Sequence, residues 1–287
     1  MRPILDTPDL AQRIAANQEA SGQGRLVVLD VRWYLTGKSG SAAYAEGHLP
    51  GAVFVDLDRA LASDPAVGPG RHPLPRADIF QEAMRNAGVS DSSFVVAYDD
   101  AGGSIAARLW WLLRHFGHAE VAILDGGITE WAKAEIMTKD VPHVSTGDFH
   151  AKIPIDDTVD RDDVRTLLER GALVLDARAR ERYRGDLEPV DARPGHIPGA
   201  LNAPWAENMR DGVFLSPTEL RARYEALGAT KGRDVIVYCG SGVTACHDLV
   251  ALELAGIGDA KLYEGSWSDW ANQPNLPAAK GEAPGKL

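Results

Sequence analysis

Leu26-Val-Val-Leu-Asp-Val-Arg32, followed by Gly47-His-Leu-Pro-Gly-Ala52, returns later in the chain as Leu173-Val-Leu-Asp-Ala-Arg178, followed by Gly195-His-Ile-Pro-Gly-Ala200. Working outward, Phe94–Tyr98, a Gly-bearing turn, a helical pattern and Val121–Gly126 reappear as Val235–Tyr238, a second turn, a helical pattern and Ala260–Gly265, and Trp131 has its counterpart in Trp270. The chain is therefore a doubled unit. Short β-rich apolar runs alternate with helical patterns in each copy, which predicts an α/β fold with a parallel sheet and helices on both faces. The predicted strands are Leu26–Val31, Phe94–Tyr98 and Val121–Leu124 in the first copy and Leu173–Ala177, Val235–Tyr238 and Ala260–Tyr263 in the second. Ile105, Leu109, Leu112, Leu113 and Phe116 share one helical face that ends at Gly117. Ser216-Pro-Thr-Glu219 reads as a capping box with proline at the first helical position. Polar residues with Pro142, Gly147 and Pro154 break any period across 138–156, so the expected domains are 1–145 and 157–287.

The 287 residues are 45% hydrophobic and 25% charged, a composition that suits a globular protein with room for two domains. A formal net charge of −11 without a cluster of Lys and Arg argues against nucleic acid as a partner. Met1–Leu10 has no apolar run of the signal-peptide type and no stretch reaches membrane-spanning length, so the expectation is a cytoplasmic protein with no membrane partner. The two cysteines do not suggest a disulfide framework, and no Cys/His cluster has zinc-like spacing. Neither Gly102-Gly103 nor Asp125-Gly-Gly127 has dinucleotide or P-loop spacing, so no metal and no cofactor is expected.

Chemistry concentrates in Cys239-Gly-Ser-Gly-Val-Thr244, a thiol at the end of an apolar strand before a small-residue loop and a helix. Successive backbone N–H groups in such a loop can turn inward as an anion-binding nest, and the positive end of the following helix points the same way. Both favour thiolate at Cys239, the form that acts as nucleophile. An inert core cysteine would need no glycines at a strand-to-helix turn. Cys246 is the contrast: with Val243, Leu249, Val250 and Leu254 it falls on one apolar helical face, where core packing is the default reading. Aligning the copies puts Asp99 in the place of Cys239, so the first domain is expected to be catalytically inactive.

With these motifs, and with Trp110-Trp111, Leu124-Asp-Gly-Gly127 and Arg182-Tyr-Arg-Gly185, nearly the whole chain resembles the tandem rhodanese-domain sulfurtransferases, above all those that use 3-mercaptopyruvate. The resemblance implies an α/β fold of two rhodanese-like domains and an enzyme that carries a sulfane sulfur as a persulfide on Cys239. It implies that the amides of Gly240, Ser241, Gly242, Val243 and Thr244 stabilise the sulfur anion. It also implies that Ser241 relays a proton to the leaving enolate and that His48 assists Ser241. Arg182 would hold the donor carboxylate in its planar fork. A second substrate arginine is implied soon after Glu188-Pro189; Val190 and Asp191 stand there, and Arg193 is the candidate replacement. The implied partners are a small-molecule sulfur donor and a thiol, cyanide or thioredoxin-like acceptor.

Three other chemistries compete. Thiosulfate sulfurtransferases tend to carry Arg or Lys within the loop, whereas this loop is neutral and suits a monoanionic keto acid better. A phosphatase needs an Arg to close the loop six residues after the Cys, and Ala245 stands there. A non-enzymatic persulfide carrier or redox module needs Cys239 and its nest but no Arg182.

Overall fold

The computed structural model describes residues 2–19, 25–66 and 68–287. Met1, residues 20–24 and Val67, all within the first expected domain, lie outside the described residues. The chain divides into two compact units, the first made of Met1–Ala62 and Pro75–Ile155, the second of Ser63–Leu74 and Asp156–Leu287. The first contains β1 (Ile4–Leu5), β2 (Leu26–Asp30), β3 (Val53–Phe54), β4 (Phe94–Tyr98) and β5 (Val121–Leu124), in a parallel sheet of order β1-β5-β4-β2-β3. The second contains β6 (Thr158–Val159), β7 (Leu173–Asp176), β8 (Leu201–Asn202), a short antiparallel pair β9 (Met209–Arg210) and β10 (Val213–Phe214), and then β11 (Val235–Tyr238) and β12 (Lys261–Tyr263). Its parallel sheet has order β6-β12-β11-β7-β8, the same topology as the first.

The sequence repeat is thus a structural repeat. The central strands are buried along their whole length because helices cover parallel sheets, and this is why they read as unbroken apolar runs. The two cores match position by position: Val28, Leu49, Ala52, Val96, Tyr98 and Trp131 in one cluster, and Val174, Ile197, Ala200, Ile236, Tyr238 and Trp270 in the other. Each Val, Leu or Ile among them contributes roughly 1.5–3 kcal/mol by leaving water. The helix Ala106–His115 carries the predicted apolar face, and the helix Pro217–Ala226 begins with the predicted capping box, Ser216 accepting from the Glu219 amide and Glu219 accepting from that of Ser216.

The repeated Asp-x-Arg is a buried lock. Arg32 Nη2 lies 2.6 Å from Asp30 Oδ2 and donates to the carbonyl of Gly47, while Arg178 Nη2 lies 2.6 Å from Asp176 Oδ2 and donates to that of Gly195. Each pair therefore ties the end of a central strand to the start of the Gly-His-x-Pro-Gly-Ala turn. The tyrosine at the end of the neighbouring strand completes it: the hydroxyls of Tyr98 and Tyr238 accept from the amides of Leu49 and Ile197.

The expected boundary needs correcting. The stretch up to Ile155 belongs to the first unit, because its amides pair there: Gly147 N–H with Arg85, Phe149 N–H with Val89 and Lys152 N–H with Phe116. Conversely, Ser63–Leu74 leaves the first unit and is part of the second, where the Arg71 amide donates to Ser268 Oγ at 3.0 Å. Gly70 sits so close to the 265–268 turn that a Cβ on it would fall 2.4 Å from the Gly265 carbonyl oxygen.

Asp30→Ala strands the Arg32 guanidinium in the interior, and we expect it to destabilise the first unit by about 3–5 kcal/mol, read as an earlier unfolding transition in urea.

Candidate active site

Cys239 directly follows β11, and its thiol is buried, with 2% of the residue exposed. Its amide donates to Ser266 Oγ at 3.1 Å, and its carbonyl accepts from Trp267 N–H at 3.0 Å. Ser266 has φ +53°, where the first unit has Gly127 at φ +56°. A serine in the left-handed region costs about 1 kcal/mol or more, and here its hydroxyl also donates to the Tyr263 carbonyl and so braces the cysteine from below. Gly242, at φ +76°, passes so near the next turn that a Cβ would lie 2.5 Å from Glu264 O. The loop can therefore close only over a glycine at this point. The following helix is Ala245–Leu254.

The first unit shows what such a loop is built to hold. Asp99, at the position of Cys239, is fully buried, and its carboxylate accepts from the amides of Ala101, Gly103, Ile105 and Ala106, all at 2.8–2.9 Å. Burial raises this carboxyl and the four amides oppose that rise. The corresponding amides in the second unit belong to Ser241, Val243, Ala245 and Cys246. The Cys246 amide turns to the Val243 carbonyl, while among the described residues no main-chain acceptor holds the other three. Cys246 itself is fully buried and its thiol donates to Gly242 O at 3.4 Å, a core position.

Ser241 Oγ lies 2.7 Å from Nδ1 of His72, and both residues are buried. His72 arrives on the Ser63–Leu74 segment, and the sequence reading did not single it out. The histidine it did single out, His48, is engaged otherwise: its ring stacks on Tyr44 at 3.8 Å, with Nδ1 2.8 Å from the Tyr44 carbonyl and Nε2 3.2 Å from that of Asp140. His196 repeats the arrangement on Tyr183, at 3.7 Å with Nδ1 2.8 Å from the Tyr183 carbonyl. Both motif histidines thus brace the turn, and the imidazole that stands beside Ser241 is His72.

Arg182 reaches the loop. A Cβ placed on Gly240 would lie 3.4 Å from its Nη1 and 3.1 Å from Nη2 of Arg71, a second arginine that the sequence reading also missed. Arg182 is held by Glu188 at 2.7 Å and Asp191 at 2.8 Å. Burial raises the Glu188 carboxyl, but the hydrogen bond from Arg182 and the amides of Asp191 and Val190 outweigh that and keep it below the usual carboxylate range. Arg193 is elsewhere: its guanidinium donates to the carbonyls of Trp270, Ala271, Gln273 and Leu276 and pins the C-terminal segment, so it is not available to a donor.

No group of three or more His, Cys, Asp or Glu among the described residues is arranged to hold a metal ion, and no described helix is long and apolar enough to cross a membrane. The arrangement can deliver a small anionic molecule to a sulfur at the mouth of an amide nest and can move a proton through Ser241 and His72.

Comparison with known proteins agrees with this geometry. The family described as Rhodanese-like domain matches residues 10–134 and again 160–273. The 3-mercaptopyruvate sulfurtransferase of Escherichia coli is 38% identical over 238 residues, which span 82% of this chain and 84% of that one. A Mycobacterium tuberculosis protein provisionally named a thiosulfate sulfurtransferase is 41% identical over 291 residues, 98% of each chain. The crystal structure of SseA from Escherichia coli, described as a 3-mercaptopyruvate sulfotransferase, superposes with a TM-score of 0.81 at 33% identity, covering 93% of this chain and all of that one. The chain belongs to the rhodanese family, as a tandem of two such domains. It is a sulfurtransferase with a small-molecule sulfur donor, among relatives named for 3-mercaptopyruvate or thiosulfate.

Asp248, in the first turn of the loop helix, is fully buried, and burial pushes its carboxyl up to about 7 against the opposing effects of Asn208 and Arg223. A carboxyl raised above its unfolded value of roughly 3.9 adds stability in acid that is lost as pH rises through about 7. Asp248→Asn should therefore gain stability relative to the unaltered protein at pH 8 compared with pH 5, measured by urea unfolding at both values.

Proposed function

We propose that the protein transfers sulfur from 3-mercaptopyruvate, through a persulfide on Cys239, to a thiol, cyanide or thioredoxin-like acceptor. The observation that carries this reading is the 2.7 Å contact between Ser241 and His72 beside a loop with no charged residue between Cys239 and Ala245. The thiolate attacks the sulfur of the donor, the new S–S bond forms, and the C–S electron pair leaves on the pyruvate enolate. The enolate carbon then needs a proton, and the persulfide S–H has one to lose. Ser241 and His72 supply the path between them, His72 acting as the base expected at His48.

The amides of Gly240, Ser241, Gly242, Val243 and Thr244 hold the charge on the outer sulfur, as oxyanion donors hold oxygen. Asp99 supports this reading, since the equivalent loop of the first unit embraces a carboxylate. Arg182 holds the donor carboxylate. A thiosulfate donor is the second reading, favoured by the name of the Mycobacterium tuberculosis relative. Its leaving group, sulfite, needs no proton from Ser241. A persulfide carrier without turnover would have no use for the arginines over Gly240.

Mass spectrometry of the intact protein after incubation with 3-mercaptopyruvate should show one added sulfur, absent in Cys239→Ser. Ser241→Ala and His72→Gln should each lower kcat with 3-mercaptopyruvate by roughly 10²-fold or more and spare thiosulfate turnover. Equal losses with both donors would remove the relay and with it the preference for the keto acid.

A further inference from the structure

The turn Glu264–Ser268 is the floor of the sulfur loop. Ser266 Oγ and the Trp267 amide take the two main-chain groups of Cys239, and the Ser268 amide donates to the carbonyl of Gly240 at 2.9 Å. Ser268 has a second hold through its side chain. Its Oγ donates to the Gly265 carbonyl at 3.1 Å, and a lone pair is left for the Arg71 amide, from which it accepts at 3.0 Å. The residue is 4% exposed, so both bonds are shielded from water.

The two residues that Ser268 grips are the chain neighbours of the paired hydroxyl and imidazole: Gly240 precedes Ser241, and Arg71 precedes His72. Three hydrogen bonds therefore close a ring, Ser268 N–H to Gly240 O, Ser241 Oγ with His72 Nδ1, and Arg71 N–H to Ser268 Oγ. The base of the 63–74 segment is fixed separately by Ser63, whose amide donates to the Pro73 carbonyl at 2.9 Å and whose hydroxyl donates to that of Leu74 at 2.8 Å. Ser268 is left to fix the stretch beside the imidazole. Gly70 belongs to the same attachment: at φ +73°, its Cβ would lie 2.8 Å from Ser268 Oγ, so the chain reaches this hydroxyl only over a glycine. In the first unit Thr129 stands at the corresponding place, and it is exposed.

We propose that Ser268 is a positioning residue for the Ser241–His72 pair. Its amide and its hydroxyl fasten the sulfur loop and the 63–74 segment to one point and so set the distance across which the proton passes. Ser268 itself takes no proton; it acts through Gly240 and Arg71.

This inference rests on the reading of Ser241 and His72 as a proton path, and the experiments keep the two apart. Ser268→Ala leaves the amide bond to Gly240 and removes only the hydroxyl. It should lower kcat with 3-mercaptopyruvate by roughly 10-fold and change thiosulfate turnover less than about threefold, since small displacements of reacting groups cost up to about 10²-fold. Ser268→Cys, close in size and a weak acceptor, guards against a folding defect and should show the same loss with an unchanged melting temperature. On a His72→Gln background Ser268→Ala should cost nothing further in kcat, because a residue that acts only through the imidazole has nothing left to position. In NMR of the His72 ring nitrogens, Ser268→Ala should reproduce most of the change in the Nδ1 signal that Ser241→Ala causes. Equal losses with both donors, an undiminished loss on the His72→Gln background or an unmoved Nδ1 signal overturns the assignment of Ser268 and leaves the proton path standing. An unaltered kcat in His72→Gln removes the proton path instead, and the Nδ1 signal then still decides whether Ser268 sets the contact.

Discussion

Peptide N–H groups left without main-chain partners at the turn after the central strand are the constraint from which the site follows. A parallel strand feeding a helix through a tight loop converges several such donors on one point, and a buried donor without an acceptor costs about as much as a lost hydrogen bond. An acceptor must stand there. The first unit supplies it as the Asp99 carboxyl, held by four amides. The second places a sulfur at the same point. One backbone device thus holds a buried carboxyl in one copy and a buried thiol in the other.

Most of the fold was legible because the doubling acts as an internal alignment. The central strands fall within one residue of their expected bounds, since buried runs of Val, Leu and Ile flanked by turn residues leave little choice. The edge strands, two residues each, are too short to carry a period. The setting of His48 was legible in the repeat: a histidine present in both copies, in the same Gly-His-x-Pro-Gly-Ala surroundings, answers to a need both copies share, and both stack on a tyrosine. His72 and Arg71, by contrast, were invisible. They lie next to Gly68-Pro-Gly70 without any period, and only the three-dimensional course of the chain assigns that segment to the second unit.

The alternating carboxylates and guanidiniums of the second unit, Asp176, Arg178, Glu188, Arg182, Asp191 and Arg71 in order of contact, are better understood as an orienting device than as a source of stability. Burying ion pairs seldom gains free energy over a well-packed apolar alternative. What such a chain does provide is geometry: each planar fork is fixed by the carboxylates on its flanks, so the orientation of Asp176 and Arg178 at the end of β7 is transmitted outward to the heads over Gly240. The same Asp-Arg pair that closes the strand end in the first unit has in the second become the root of a longer chain of ion pairs. Acidic residues at 188 and 191, absent from the corresponding turn of the first copy, make the difference.

The excursion of Ser63–Leu74 has a consequence for the history of the doubled chain. When a unit is first duplicated, either copy can in principle be cut away and still fold. Here the second unit takes up a dozen residues that lie, in sequence, inside the first, including the imidazole beside Ser241. A gene fragment spanning only the later repeat would yield a sheet, a nest and a thiol without the partner of its serine. The second unit can therefore be assembled with its imidazole only from a chain that also carries 63–74.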